Sequence, residues 1–119
     1  MELHSYRELI VWQKGIEVVI EMYRLTEGFP KSELYGLASQ MKRAAVSIPS
    51  NIAEGRRRGG KKEFCQFLLI AYGSGAELET QLEIVRRLPW GVGLEISSID
   101  SLLLEVMRML NKMISSLKS

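Results

Sequence analysis

Apolar residues recur every third or fourth position through four successive stretches of this chain, and glycine or proline separates each stretch from the next. That period winds all the apolar groups of a stretch onto one side of an α-helix, whereas a half-buried strand needs strict alternation. The expectation is an all-α protein. With 119 residues there is material for one domain, residues 1–119, and a core of ordinary size. Four amphipathic helices joined by short connections cover one another's apolar faces as an antiparallel up-down-up-down four-helix bundle.

In the first stretch Leu9, Trp12, Ile16, Val19, Ile20 and Tyr23 form the stripe, with Glu8, Lys14, Glu17, Glu21 and Arg24 mostly on other faces. Ser5 followed by Glu8 matches a capping box, which starts the helix at Tyr6 and lets it run to Thr26. Gly28 and Pro30 stop it. Ser32 is placed to cap the second helix, whose inward stripe reads Leu34, Leu37, Ala38, Met41, Ala45, Ile48 and Ile52. Pro49 falls inside that stripe and removes one backbone hydrogen bond, so helix two either kinks or ends there. A kink is the expectation, because Ile52 keeps the apolar phase and no loop composition appears before Gly55. Residues Gly55 to Gly60 then read as the connection.

The third stretch, Lys61 to Leu88, presents Phe64, Phe67, Leu68, Ala71, Leu78, Leu82 and Val85 on one side. Gly73 and Gly75 in its middle each cost about 1 kcal/mol of helix stability relative to alanine, which points to close approach of another backbone. Pro89, Gly91 and Gly93 end it, with Trp90 as a plug over the end of the bundle. Ser97 or Ser98 caps the fourth helix, whose stripe of Ile99, Leu102, Leu103, Val106, Met109, Leu110, Met113, Ile114 and Leu117 is wider than one core requires. The surplus suggests a second buried face in an oligomer.

The net charge of +2 names no partner, but its distribution is uneven. Between positions 42 and 62 lie Lys42, Arg43, Arg56, Arg57, Arg58, Lys61 and Lys62 against the single acid Glu54, a local +6. The rest of the chain holds nine bases and thirteen acids, a net −4. Such asymmetry suits a surface that holds phosphate. Its simpler readings are a solvated loop and cationic capping of helix two's negative end, and capping can coexist with binding.

Metal and nucleophile chemistry find little support. His4 is the sole histidine, and Cys65, the sole cysteine, sits beside Phe64 in a setting suited to burial. A single cysteine excludes an internal disulfide and favours a reducing compartment. Gly59 and Gly60 belong to no phosphate-loop pattern. The start lacks a basic stretch followed by an apolar one, and no apolar run approaches the ~20 residues that span a bilayer. The expectation is a cytoplasmic protein with no catalytic residues, cofactor, metal or membrane role. Gln40, Ser47, Asn51 and Glu54 are spaced to lie along one side of helix two, where they read as a structural polar cluster that satisfies backbone groups or pins neighbouring helices.

The run from Gly36 to Gly55, GLASQMKRAAVSIPSNIAEG, resembles the signature of the four-helix-bundle proteins encoded in intervening sequences of 23S ribosomal RNA genes. The resemblance extends to Val11-Trp12-Gln13, to Phe29-Pro30 with Glu33, and to Ala71-Tyr72-Gly73-Ser74 with Glu77-Leu78-Glu79. Beyond Leu88 only helical character agrees. The resemblance implies assembly as a closed ring of five subunits. It also implies kinship with the accessory proteins of diversity-generating retroelements, which bind nucleic acid and associate with a reverse transcriptase. A ribosomal partner is the other association it suggests. On this reading the chain is a non-enzymatic homo-oligomer, a pentamer by resemblance, that holds RNA or DNA through Lys42, Arg43, Arg56, Arg57, Arg58, Lys61 and Lys62, with Arg86 and Arg87 as additions. The alternative is an adapter for a protein partner, served by helix four and the Trp90 region.

Overall fold

A computed structural model describes residues 5–119; His4 lies outside them. Four helices follow in order: α1 (Ile10–Thr26), α2 (Leu37–Arg58), α3 (Lys61–Arg87) and α4 (Ser97–Lys118). No strand occurs among the described residues. Each helix packs on its sequence neighbours and α4 closes back on α1, leaving α1 diagonal to α3 and α2 diagonal to α4. The expected antiparallel four-helix bundle is what forms, about 52 Å long and 20 Å across. Its core is one apolar cluster drawn from all four helices, with Met22, Met41, Ile48, Ile52, Leu68, Leu78, Leu82, Leu103 and Leu110 fully enclosed.

The first helix is turned relative to its expected stripe. Val11, Gly15, Val18, Met22 and Leu25 face inward, while Ile16, Ile20 and Tyr23 are exposed. Both sets satisfy the same helical period, and only contact with α2 and α4 distinguishes them. The expected start at Tyr6 is a 3-10 turn (Tyr6–Glu8), and extended backbone at Leu9 separates it from α1. Ser5 Oγ accepts a hydrogen bond from Arg7 N at 3.1 Å, one residue short of the capping-box pairing.

Ser32 does not cap α2; it lies in a separate 3-10 turn, Lys31–Glu33. The Glu33 carboxylate instead accepts from Leu37 N at 3.3 Å, and Leu34 is left exposed outside the helix. Helical backbone continues unbroken through Pro49. The buried proline ring lies beside Gly15, where an added Cβ would stand 3.4 Å from Pro49 Cβ. Residues 55–58, read from the sequence as connection, are the last turn of α2. Only Gly59 and Gly60 link it to α3, and Gly59 has φ +86°, which a Cβ would strain.

Gly75 on α3 faces the side chain of Met107 on α4, rather than another backbone. Gly73 faces open space. At the end away from the α2–α3 connection, the Trp90 ring lies 4.8 Å from that of Phe29. α4 begins at Ser97, with the Glu95 carboxylate accepting from Ser97 Oγ and Ser98 N, so its cap comes from Glu95 rather than from a serine hydroxyl.

Candidate nucleic-acid interface

Arg56, Arg57 and Arg58 occupy the last turn of α2 and Lys61 and Lys62 the first turn of α3, so a two-residue link holds all five at one end of the bundle. The helix macrodipoles have opposite signs there. Cations complement the C-terminus of α2, whereas the N-terminus of α3 adds backbone N–H groups that favour anions. Between them is a recess of about 150 Å³ lined by Arg56, Lys61, Gly55, Gly59, Gly60 and Phe64, closed on the α4 side by Leu117.

The arginines rest on aromatic rings from two other elements. Arg56 lies over Phe64 at 5.8 Å from the ring centroid and Arg58 over Phe67 at 5.1 Å, both rings belonging to α3. Arg57 lies over Tyr6 at 5.7 Å, and Arg7 lies over the same ring at 5.2 Å. Trp12 braces Tyr6 edge-on at 5.3 Å, and Gln13 Nε2 donates to the Arg7 carbonyl at 2.9 Å. The N-terminal turn is thereby fastened to the end of α2 and adds Arg7 to the basic end. Sequence reasoning missed Tyr6 and Arg7, since nothing in residue spacing brings position 6 to position 57.

Among the described residues, ion pairs neutralise only one of the five cations. Arg58 bonds Glu54 at 3.0 Å, a pair spaced i,i+4, and lies 3.5 Å from Glu63. Arg56, Arg57, Lys61 and Lys62 make no ion pair among the described residues.

The structure does not bring Lys42 and Arg43 to this end. Fourteen helical residues separate Lys42 from Arg56, about 21 Å at 1.5 Å per residue. Lys42 Nζ sits over Tyr23 at 4.8 Å, and Arg43 lines a cleft between α2 and α3 with Gln40, Ser47, Ser74 and Glu77. Arg86 and Arg87 are excluded more firmly. They lie at the far end of α3, where Arg86 meets Glu83 and Asp100 and Arg87 meets Glu83. Hydrogen bonds from Arg87 and then Arg86 hold the Glu83 carboxyl below its ordinary value.

The polar cluster divides. Asn51 Nδ2 donates to the Ser47 carbonyl and Oγ at 2.8 and 2.9 Å, and Ser47 Oγ is 2.8 Å from Ser74 Oγ on α3. Among the described residues, Ser47 alone of the four makes a hydrogen bond across to α3, while Asn51 holds Ser47 from within α2. Gln40 lines the same cleft, while Glu54 serves Arg58 instead. Cys65 is buried. Among the described residues no three His, Cys, Asp or Glu side chains converge as metal ligands, and no helix is long and apolar enough to cross a membrane.

Comparison with solved structures finds the same fold in a crystal structure of a protein of unknown function from the S23 ribosomal protein family of Bacteroides thetaiotaomicron. The two chains are 23% identical with a TM-score of 0.75, over 88% of this chain and 98% of that one. No curated protein matches. The profile of the family described as 23S rRNA-intervening sequence protein matches residues 7–112, nearly the whole chain. On that match, this chain belongs to the family of 23S rRNA-intervening sequence proteins.

Proposed function

We propose that this is a non-enzymatic, cytoplasmic protein that binds RNA or another nucleic acid through the basic end of its bundle. The observation that carries the reading is the grouping of Arg56, Arg57, Lys61 and Lys62 at one end without carboxylate partners among the described residues. Unneutralised guanidinium forks beside free helix N–H groups suit phosphate oxygens. Affinity then rests on counterion release, and log K falls with log salt at a slope of about −0.7 per phosphate contact on a single strand. Three to five contacts give a slope between roughly −2 and −4. Measuring RNA binding across a salt series tests this. A flat slope, or unchanged affinity in Arg56/Arg57/Arg58→Ala, refutes it.

The same reading makes the protein a homo-oligomeric ring, of five subunits by family resemblance. Its support is the placement of the uncovered apolar residues. Ile16, Ile20 and Tyr23 lie on the outside of α1, and Leu69 and Ile84 lie on the outside of α3 along with Gly73. These helices are diagonal in the bundle, so the two faces point away from each other. Two different faces join copies head to tail, a contact that closes into a ring when the rotation from one copy to the next closes and otherwise extends as a filament, and the family resemblance favours the ring. Repetition of the basic end around the axis then concentrates charge on one side of the assembly.

A second reading, an adapter for a protein partner such as a reverse transcriptase or a ribosomal component, draws support from the opposite end. There Tyr35 is 93% and Val92 78% exposed on the α1–α2 and α3–α4 connections. Capture of a partner that survives loss of the basic end but not Tyr35→Ser/Val92→Ser would favour it.

A further inference from the structure

The basic end holds more than charge. Its three arginines each lie over an aromatic ring: Arg56 on Phe64, Arg57 on Tyr6, Arg58 on Phe67. A guanidinium held over a ring loses freedom to swing as a flexible point charge, and with Arg57 and Arg58 exposed and Arg56 partly so, planar guanidinium face stays open to a ligand. Such a face is where an unpaired base can stack, because every base has a π-face and arginine planes accept it as aromatic rings do. The rings are themselves anchored. Phe64 is buried in the core, and Tyr6 contacts Arg7, Arg57 and Trp12.

We infer that the ligand of this end is a single-stranded nucleic acid, whose bases stack on the ring-backed planes of Arg56, Arg57 and Arg58 while its phosphates meet Lys61, Lys62 and Arg7. This rests on the proposed nucleic-acid reading and narrows it. In a duplex the base faces are occupied by their neighbours, and the arginine planes meet only phosphates and sugars. A single strand offers both groups at once. Arg58, whose edge is taken by Glu54 and Glu63, contributes its plane alone. Arg56 and Arg57 contribute plane and charge.

The test measures fluorescence anisotropy of the full chain with a labelled single-stranded RNA of about 12 nucleotides, a length within the range of single-strand sites, and with the matching duplex. A single-stranded DNA of the same sequence is run in parallel. The expected result is preference for either single strand over the duplex by about tenfold or more. In Arg56/Arg57/Arg58→Lys, which keeps the charge and removes the planes, that preference is lost while the salt slope stays. Equal affinity for duplex and single strand overturns the inference and leaves phosphate binding standing. A preference retained in the lysine variant also overturns it. Absence of binding to all three probes overturns the underlying reading as well.

Discussion

Gly55 of α2 lies directly against Phe67 of α3: a Cβ added at Gly55 would come within 2.6 Å of Phe67 Cβ and 3.2 Å of the Phe64 ring. Gly55 contributes no side chain there, so the backbone of α2 packs directly on the Phe67 and Phe64 side chains, immediately before Arg56. That approach brings the last turn of α2 over the rings that carry Arg56 and Arg58.

Gly55→Ala should therefore destabilise the protein although alanine is the better helix former. Overpacking at such a contact costs about 1–3 kcal/mol, more than the ~1 kcal/mol that alanine contributes in an open helix position. Gly73→Ala is the control, because nothing lies within 4 Å of its Cβ in the single chain, and it should gain about 1 kcal/mol in urea denaturation wherever the outer ridge of α3 is uncovered, as in a Leu69→Arg monomer. A loss at Gly73 would mean that another molecule already occupies the outer ridge of α3.

The proposed head-to-tail assembly makes an asymmetric prediction. Ile20→Arg damages the α1 face and Leu69→Arg the α3 face, and each alone should reduce the oligomer to monomers in light scattering after size exclusion. Mixed, the two variants retain one intact α1 and one intact α3 face between them, and should form a heterodimer. An isologous contact that uses one face twice would leave one of the two variants dimeric on its own and give no heterodimer on mixing.

Ser74→Ala removes the hydroxyl that meets Ser47 Oγ across α2 and α3. The expected loss is about 0.5–1.5 kcal/mol, since Asn51 still satisfies Ser47. Thermal unfolding of the single variant measures it. An unchanged midpoint would show that the bond adds nothing over solvation by water.

Acid should weaken the end of the bundle opposite the arginine cluster. The Glu83 carboxyl is held below its ordinary 4.5 by Arg87 and Arg86, and the Glu95 carboxyl is held below 4.5 by hydrogen bonds from Ser97 and Ser98 N. A carboxylate depressed in the folded state contributes stability above about pH 4.5, and that contribution disappears as pH falls through the folded value. Urea midpoints between pH 7 and 3 should fall less steeply for Glu83→Gln/Glu95→Gln than for the parent chain.

Helix number, order and approximate extent were readable from periodicity and from Gly28, Pro30, Pro89 and Gly93. The stripe of α3 was readable too, because Leu68, Ala71, Leu78 and Leu82 admit one inward phase. In α1 nearly every position from Ile16 to Ile20 is apolar, and the period accepted a stripe that contact with the neighbouring helices turns outward. The seven bases gathered in sequence divide in space. Those at 56–62 sit within two adjoining helix turns, whereas Lys42 and Arg43 are carried away by the rise of the helix.

By itself, then, the order of residues determined an antiparallel four-helix bundle and a charged connection between its second and third helices, since local periodicity and chain-breaking residues act over a few positions. Only the tertiary structure decided which side of α1 faces water, that Gly55 meets Phe67, and that Tyr6 lies under Arg57. Those relations depend on contacts between residues a dozen to some ninety positions apart, which packing sets and local propensity does not encode.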